Sequence, residues 1–185
     1  CDPPNSRFAV GFFLLAVALA PAVLAEDIVY IESQENPDGR VRYTGQILDY
    51  TGNSLRIRTS GGIERSLPAD RIVWIKTTYS REQEEAENAM AEGAYRRAVE
   101  QFRRALQTEP RTWVKRKIIG QLVRCHAALG EIDVACDMFF LLTASDPATA
   151  DFDAIPLAWT ADESVPKGQA VGWLERIDNP AAMLL

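Results

Sequence analysis

The chain has 185 residues and a formal net charge of −6, from 20 Lys and Arg against 26 Asp and Glu. Its 47% of hydrophobic residues predict that most of the chain folds, and its length allows one ordinary domain or two small ones. The negative charge disfavours nonspecific binding of nucleic acid. One histidine and three cysteines without a Cys-x-x-Cys spacing are too few for a structural zinc site, so we expect no metal and no cofactor.

Residues 1–25 have the three parts of a secretory signal peptide. Arg7 supplies a positive start, residues 8–20 form an apolar run, and small residues lead up to Ala25. This pattern predicts cleavage after Ala25 and export of the remainder to the periplasm, the cell envelope or the extracellular space. The alternatives are an uncleaved membrane anchor, at the short limit for a span, and a buried helix. Membrane association is expected only through an uncleaved N-terminal segment.

Residues 26–78 have the pattern of a small β module with about five strands. The segments "DIVYIES", "RVRYTGQIL", "SLRIRTS", "IERSL" and "RIVWIK" are rich in β-formers, and the second and third alternate between apolar and polar residues. Turn residues separate them in "NPDG", "YTGNS" and "SGG", and "LPAD" predicts a tight one-turn connection before the last strand. So many strands in so short a segment favour a strongly bent sheet or a small barrel.

The module resembles SH3-like and Sm-like barrels in two places. These are the hairpin from Gly45 to Leu55 and the terminal "LPADRIVWI". The resemblance implies a fold and no particular activity.

Four arginines of the β module are predicted to point away from its core: Arg40, Arg42, Arg56 and Arg58. They would form either a phosphate-binding face or an ordinary solvated face. Residues 26–77 contain 7 Lys and Arg against 8 Asp and Glu, and this balance favours the solvated face.

Residues 79–147 contain two copies of a helical pattern. In the first copy, Ser80 is a predicted N-cap with Gln83 three residues later, Gly93 breaks the helix, and Pro110 ends the next one. The second copy lies 37 residues later, where Gly93, Ala98, Phe102 and Pro110 correspond to Gly130, Ala135, Phe139 and Pro147. Internal repetition at this period predicts stacked helix pairs.

These landmarks resemble the tetratricopeptide repeat (TPR): a small residue, an aromatic residue four positions later, another small position and a proline. The resemblance implies antiparallel α-hairpins of a TPR-like α-solenoid, so the predicted fold class is α+β, with the small barrel first. It also implies binding of a protein or peptide partner in the groove lined by the first helix of each pair. The candidate partner-binding residues there are Glu87, Met90, Lys117 and Arg124.

No catalytic residue is predicted. His126 adjoins Cys125, but neighbours on a helix point about 100° apart, and phosphate loops, HExxH and GxSxG are absent. The helical segment is rich in arginine and lysine, yet residues 78–147 hold 10 basic against 11 acidic residues, which indicates a solvated helix face. We predict free thiols at Cys125 and Cys136, because their side chains should turn away from a shared seam.

Residues 148–185 are predicted to be either a degenerate third repeat or the start of a C-terminal region. The whole pattern predicts an exported, non-catalytic protein–protein interaction or scaffold protein that does not bind nucleic acid. One alternative is a nucleic-acid-binding protein that uses the barrel and its arginines. Another is an accessory region of a larger enzyme whose sequence continues after residue 185.

Overall fold

The computed structural model describes residues 26–33 and 39–155. The predicted signal peptide (1–25) and the tail after residue 155 lie outside the described residues. The described chain forms a five-stranded antiparallel sheet followed by four α-helices, and this confirms the predicted α+β class. None of these helices is both long and apolar enough to cross a membrane.

All five predicted strands are present in a single sheet. The strands are β1 (Asp27–Glu32), β2 (Arg40–Tyr50), β3 (Ser54–Thr59), β4 (Glu64–Pro68) and β5 (Ile72–Lys76). Their spatial order is β4-β3-β2-β1-β5, with antiparallel neighbours throughout. The edge strands β4 and β5 are joined by a 3-10 turn at Ala69–Arg71, as "LPAD" predicted.

Neighbouring strands approach closely at Gly45, in the long strand β2. Gly45 pairs with Asp27 of β1 on one side and with Thr59 of β3 on the other. A Cβ atom at Gly45 would lie 2.1 Å from the carbonyl oxygen of Arg58, so only glycine allows this close approach. One side of the sheet carries its core residues, and the predicted alternation places the four arginines on the other, exposed side.

Four helices follow the sheet as two hairpins. They are α1 (Arg81–Ala91), α2 (Tyr95–Thr108), α3 (Thr112–Ala128) and α4 (Ile132–Ser145), with a short 3-10 helix after them (Ala150–Ala154). The Ser80 hydroxyl accepts a hydrogen bond from the Gln83 backbone N–H at 3.2 Å, which confirms the predicted N-cap. The apolar stripe of α2 is buried and contains the repeat landmarks Ala98 and Phe102 together with Val99 and Ala105.

The two hairpin turns have the same geometry. Gly93 has φ +73° and Gly130 has φ +74°, in the left-handed region that favours glycine. In the first turn the Gly93 N–H donates to the Met90 carbonyl and the Ala94 N–H to the Ala89 carbonyl, and the second turn repeats both bonds. This arrangement satisfies the last helix carbonyls in a Schellman motif. The sequence repeat is therefore also a repeat of local structure.

Helix α3 is buried on two sides because it packs against α2 of the first hairpin and against its own partner α4. Its Cys125 belongs to the main core, whereas Val123 packs with Ala135 and Phe139 of α4. Cys125 and Cys136 are both buried free thiols. Burial raises the pKa of each thiol to about 11, with a further contribution from Asp137 and Asp133 at Cys136, so both are poor nucleophiles at neutral pH.

Polar networks join the sheet to the helices. Arg111, at the start of α3, donates to Thr77 after β5 at 2.9 Å and to both carboxylate oxygens of Glu109 at 2.7 and 2.8 Å. The Thr77 hydroxyl in turn donates to the buried Asp27 carboxylate. The β2–β3 turn lies against the loop after α4, where the Gly52 N–H donates to Asp146 at 2.9 Å.

Candidate functional site

A cleft of about 630 Å³ lies where the sheet meets the helices. Strand β5 and the 3-10 turn before it form one wall, the first half of α3 forms another, and the loop after α4 closes one end. Four aromatic residues are among those that line it: Tyr50, Trp74, Tyr79 and Trp113. A concave, aromatic-lined cleft between two structural units is the usual setting of a binding site.

Lys117 of α3 connects the cleft to the first hairpin. Its ammonium donates to the Tyr79 hydroxyl at 2.9 Å, lies over the Tyr79 ring at 4.3 Å from the centroid, and lies 3.5 Å from the Glu87 carboxylate of α1. Burial lowers the pKa of Lys117, but Tyr79 and Glu87 together raise it above its usual value. Lys117 therefore stays protonated and fixes α1, α3 and the segment before α1 relative to one another.

Arg116, which lines the cleft, connects α3 to the sheet. Its guanidinium donates to the Asp49 carboxylate and to the Tyr50 carbonyl, the latter at 2.9 Å. The side chain of Arg116 is 9% exposed, so the ion pair with Asp49 is largely shielded from solvent. This contact fixes the position of α3 relative to the end of β2.

One end of the cleft is acidic. Asp70, Asp146 and Asp151 line it, and burial together with the charges of Asp151 and Asp146 raises the pKa of Tyr50. The two cations of the lining, Arg116 and Lys117, are each already paired with a carboxylate. Asp151 is itself paired with Arg124 and Asp146 is buried, so Asp70 is the acid of the lining that offers exposed, unpaired charge to a ligand beside the aromatic rings.

The four predicted partner-binding residues lie in different environments. Glu87 and Lys117 are brought together at 3.5 Å, next to the cleft. Met90 is partly buried against the main core. Arg124 donates at 2.9 Å to both Asp151 and Asp153, so it fixes the short 3-10 helix after α4.

Sequence reasoning missed the residues that the sheet contributes, and also Trp113, Arg116 and Tyr79. A signal for part of this set was available, because Trp113 and Lys117 are four residues apart and so share one helix face. The contribution of β5 had no such signal, because it depends on how the sheet docks against α3.

No cluster of three or more His, Cys, Asp or Glu that could hold a metal occurs in the described part of the chain. His126 lies outside the cleft lining, and its Nδ1 is 2.6 Å from the Glu131 carboxylate. The described lining of the cleft includes aromatic rings, an acidic end and paired cations.

No protein-family model, curated protein or solved structure matched this chain.

Proposed function

We propose that this chain is an exported, non-catalytic protein–protein interaction or scaffold protein that combines an SH3-like small barrel with TPR-like helix pairs. The barrel is supported by the strand order, by the close approach of the strands at Gly45 and by the 3-10 turn that joins the two edge strands. The TPR-like arrangement is supported by the two identical hairpin turns and by the buried small and aromatic residues of α2 and α4. Export is supported by the composition of residues 1–25 alone.

The aromatic cleft is the observation that carries the binding function. It joins the sheet edge to the face of α1 and α3 on which Glu87 and Lys117 meet. Aromatic side chains bury a large area and lose little conformational entropy on binding, so they are well suited to hold a partner segment.

The charges of the cleft lining indicate which kind of partner segment fits. Asp70 is exposed and has no ion-pair partner among the described residues, whereas Arg116 and Lys117 are paired within the chain. An extended peptide segment with apolar or aromatic side chains and at least one basic side chain fits this charge pattern.

A random peptide library displayed on phage and selected on the full chain tests the proposal. We expect enriched peptides that combine a basic residue with apolar residues. Synthetic fluorescein-labelled copies should bind with micromolar affinity in a fluorescence anisotropy titration. Asp70→Lys should weaken this binding by about tenfold, because it reverses the charge at the acidic end.

Glu100→Lys is the matched control, because it makes the same change of charge at an exposed position of α2 outside the cleft lining. It should change the affinity by less than about twofold. The proposal is wrong if no peptide is enriched, or if both variants weaken binding equally.

The other two functions stay predictions. No contact of the described residues favours an accessory role beside an enzyme, and nucleic-acid binding is tested below as an alternative outcome.

A further inference from the structure

The exposed face of the sheet carries a row of three side chains on neighbouring strands. Trp74 of β5 pairs in register with Tyr30 of β1, and Tyr30 pairs with Arg42 of β2. The rings of Tyr30 and Trp74 are stacked, with centroids 5.5 Å apart and an angle of 21° between their planes. Trp74 is 56% exposed, so this cross-strand row presents a large aromatic surface to solvent.

The composition of the cross-strand row is unusual for a solvated face. Trp, Tyr and Arg are the residue types most enriched among the hot spots of protein interfaces, and they tend to cluster. Binding of a partner to Trp74 costs little conformational entropy, since stacking on Tyr30 already restrains the Trp74 ring. An exposed tryptophan that the fold itself holds in place is therefore well prepared for a partner.

The surroundings of the cross-strand row are basic, although the whole chain is acidic. Glu64, another strand acid of this face, lies on β4 and is paired with Arg58, whereas around the cross-strand row the only acidic side chain among the described strand residues is Glu32. It is outnumbered by four basic ones, which are Arg40, Arg42, Arg71 and Lys76. None of these four has an ion-pair partner within the described chain.

We infer that the cross-strand row is the centre of a second protein interface, and that its partner is an acidic segment carrying aromatic side chains. Aromatic residues of the partner pack against Trp74 and Tyr30, and its carboxylates pair with Arg42, which offers bidentate hydrogen bonds. Trp74 also lines the cleft, whereas Tyr30 and Arg42 do not, so Arg42 is the member of the row that separates this interface from the cleft.

A short acidic segment fits better than a nucleic acid. The chain carries a net charge of −6, and this charge repels a strand with a phosphate at every nucleotide more than a segment with a few carboxylates. The basic patch is also confined to one part of the sheet, whereas single-stranded nucleic acid is usually bound along an extended basic groove.

Fluorescence anisotropy with three labelled probes tests the inference on the full chain. The probes are a dodecapeptide of alternating Asp and Tyr, the same peptide with Lys in place of Asp, and a dodecamer of thymidine. We expect the acidic peptide to bind at least about tenfold tighter than the basic one, with an affinity that falls as salt is added. Both Arg42→Glu and Trp74→Ala should weaken binding of the acidic peptide by about tenfold.

Two control variants make the result specific. Arg103→Glu makes the same change of charge as Arg42→Glu at an exposed position of α2, and Asp70→Lys alters the cleft. Neither variant should weaken binding of the acidic peptide by more than about twofold. Circular dichroism of each variant checks that the fold is kept, and Arg42, being exposed, serves as a test even if Trp74→Ala fails to fold.

The inference is overturned if the acidic peptide binds no better than the basic one, or if Arg103→Glu weakens it as much as Arg42→Glu does. Tighter binding of the thymidine probe, with a steep salt dependence and a loss in Arg42→Glu, would identify a nucleic-acid site instead. Failure of the cleft proposal alone leaves these outcomes unchanged, because Asp70→Lys reports on the cleft separately.

Discussion

Glu109 is a carboxylate whose side chain is only 4% exposed, and its charge is compensated by Arg111. Two guanidinium nitrogens and the backbone N–H of Arg111 donate to it at 2.7 to 2.9 Å. Burial works to raise the pKa of Glu109, but the hydrogen bonds and charge of Arg111 outweigh it, so the pKa lies below its usual value. The same pair raises the pKa of Arg111, chiefly through the hydrogen bond to Glu109.

Because the folded pKa of Glu109 is lowered, the ionised side chain contributes stability above the ordinary carboxyl value of about 4.3. That contribution is lost as the pH falls through the lower, folded value. We expect Arg111→Ala to cost about 3 kcal/mol of unfolding free energy at neutral pH, since it leaves a buried charge unpaired. The cost should shrink in acid, where protonation neutralises Glu109.

Urea denaturation of the wild type and of Arg111→Ala across the acidic range measures this difference. Arg103→Ala, at an exposed position, is the control and should stay within about 0.5 kcal/mol. A cost of Arg111→Ala that is the same at every pH would contradict the assignment.

Individual site residues were only partly predictable from the sequence. Glu87 and Lys117 could be placed near one face because each lies on the first helix of a repeat. Arg124 was assigned by the same logic, yet it pairs with Asp151 and Asp153, which lie beyond the repeats where no pattern extends. Helical spacing predicts which face a residue occupies, but not which neighbour neutralises it.

At the scale of elements, the hairpin glycines allow a direct test of the repeat. A Cβ atom at Gly93 or Gly130 would meet nothing within 4 Å, so replacement costs only backbone strain. We expect Gly93→Ala and Gly130→Ala each to lower the unfolding free energy by about 1 kcal/mol, and the asparagine variants to cost less, because asparagine tolerates positive φ.

Thermal or urea denaturation of the four variants checks this expectation. Equal costs at the two positions support structural equivalence of the turns. Unequal costs, or an alanine variant as stable as the wild type, would show that the two turns are not energetically equivalent.

The elements themselves were predictable because each has a local cause. Alternation placed the strands, and glycine and proline placed the ends of the helices. The difference at β2, which runs to Tyr50 rather than ending at Leu48, arises at its turn, where the Thr51 N–H donates to the Ser54 carbonyl and keeps the hairpin paired. The described strands form one antiparallel sheet with β4 and β5 at its edges, and the predicted barrel stays a prediction, since alternation describes one strand at a time.

At the scale of the whole molecule, the contacts that create the cleft join residues far apart in the sequence. Asp49 and Arg116 are 67 positions apart, and Gly52 and Asp146 are 94 apart. The buried residues of the sheet and of the first three helices also form one continuous core. No local pattern encodes such pairs, which is why the sequence predicted two modules and missed the site between them.

Gly52 gives the sharpest test of this docking. A Cβ atom there would lie 1.4 Å from the carbonyl oxygen of Ala148, so even alanine would force the β2–β3 turn away from the loop after α4. The movement would also strain the hydrogen bond from the Gly52 N–H to Asp146. We expect Gly52→Ala to cost about 2 kcal/mol of unfolding free energy, in the range of other overpacked contacts.

Gly61 is the matched control, because a Cβ atom there meets nothing within 4 Å and its φ is not in the left-handed region. Gly61→Ala should therefore stay within about 0.5 kcal/mol of the wild type in urea denaturation followed by tryptophan fluorescence. Since the sheet and the helices share a core, the wild type should unfold in one transition. If Gly52→Ala were as stable as Gly61→Ala, the sheet would not be docked against the loop after α4, and the acidic end of the cleft would be open.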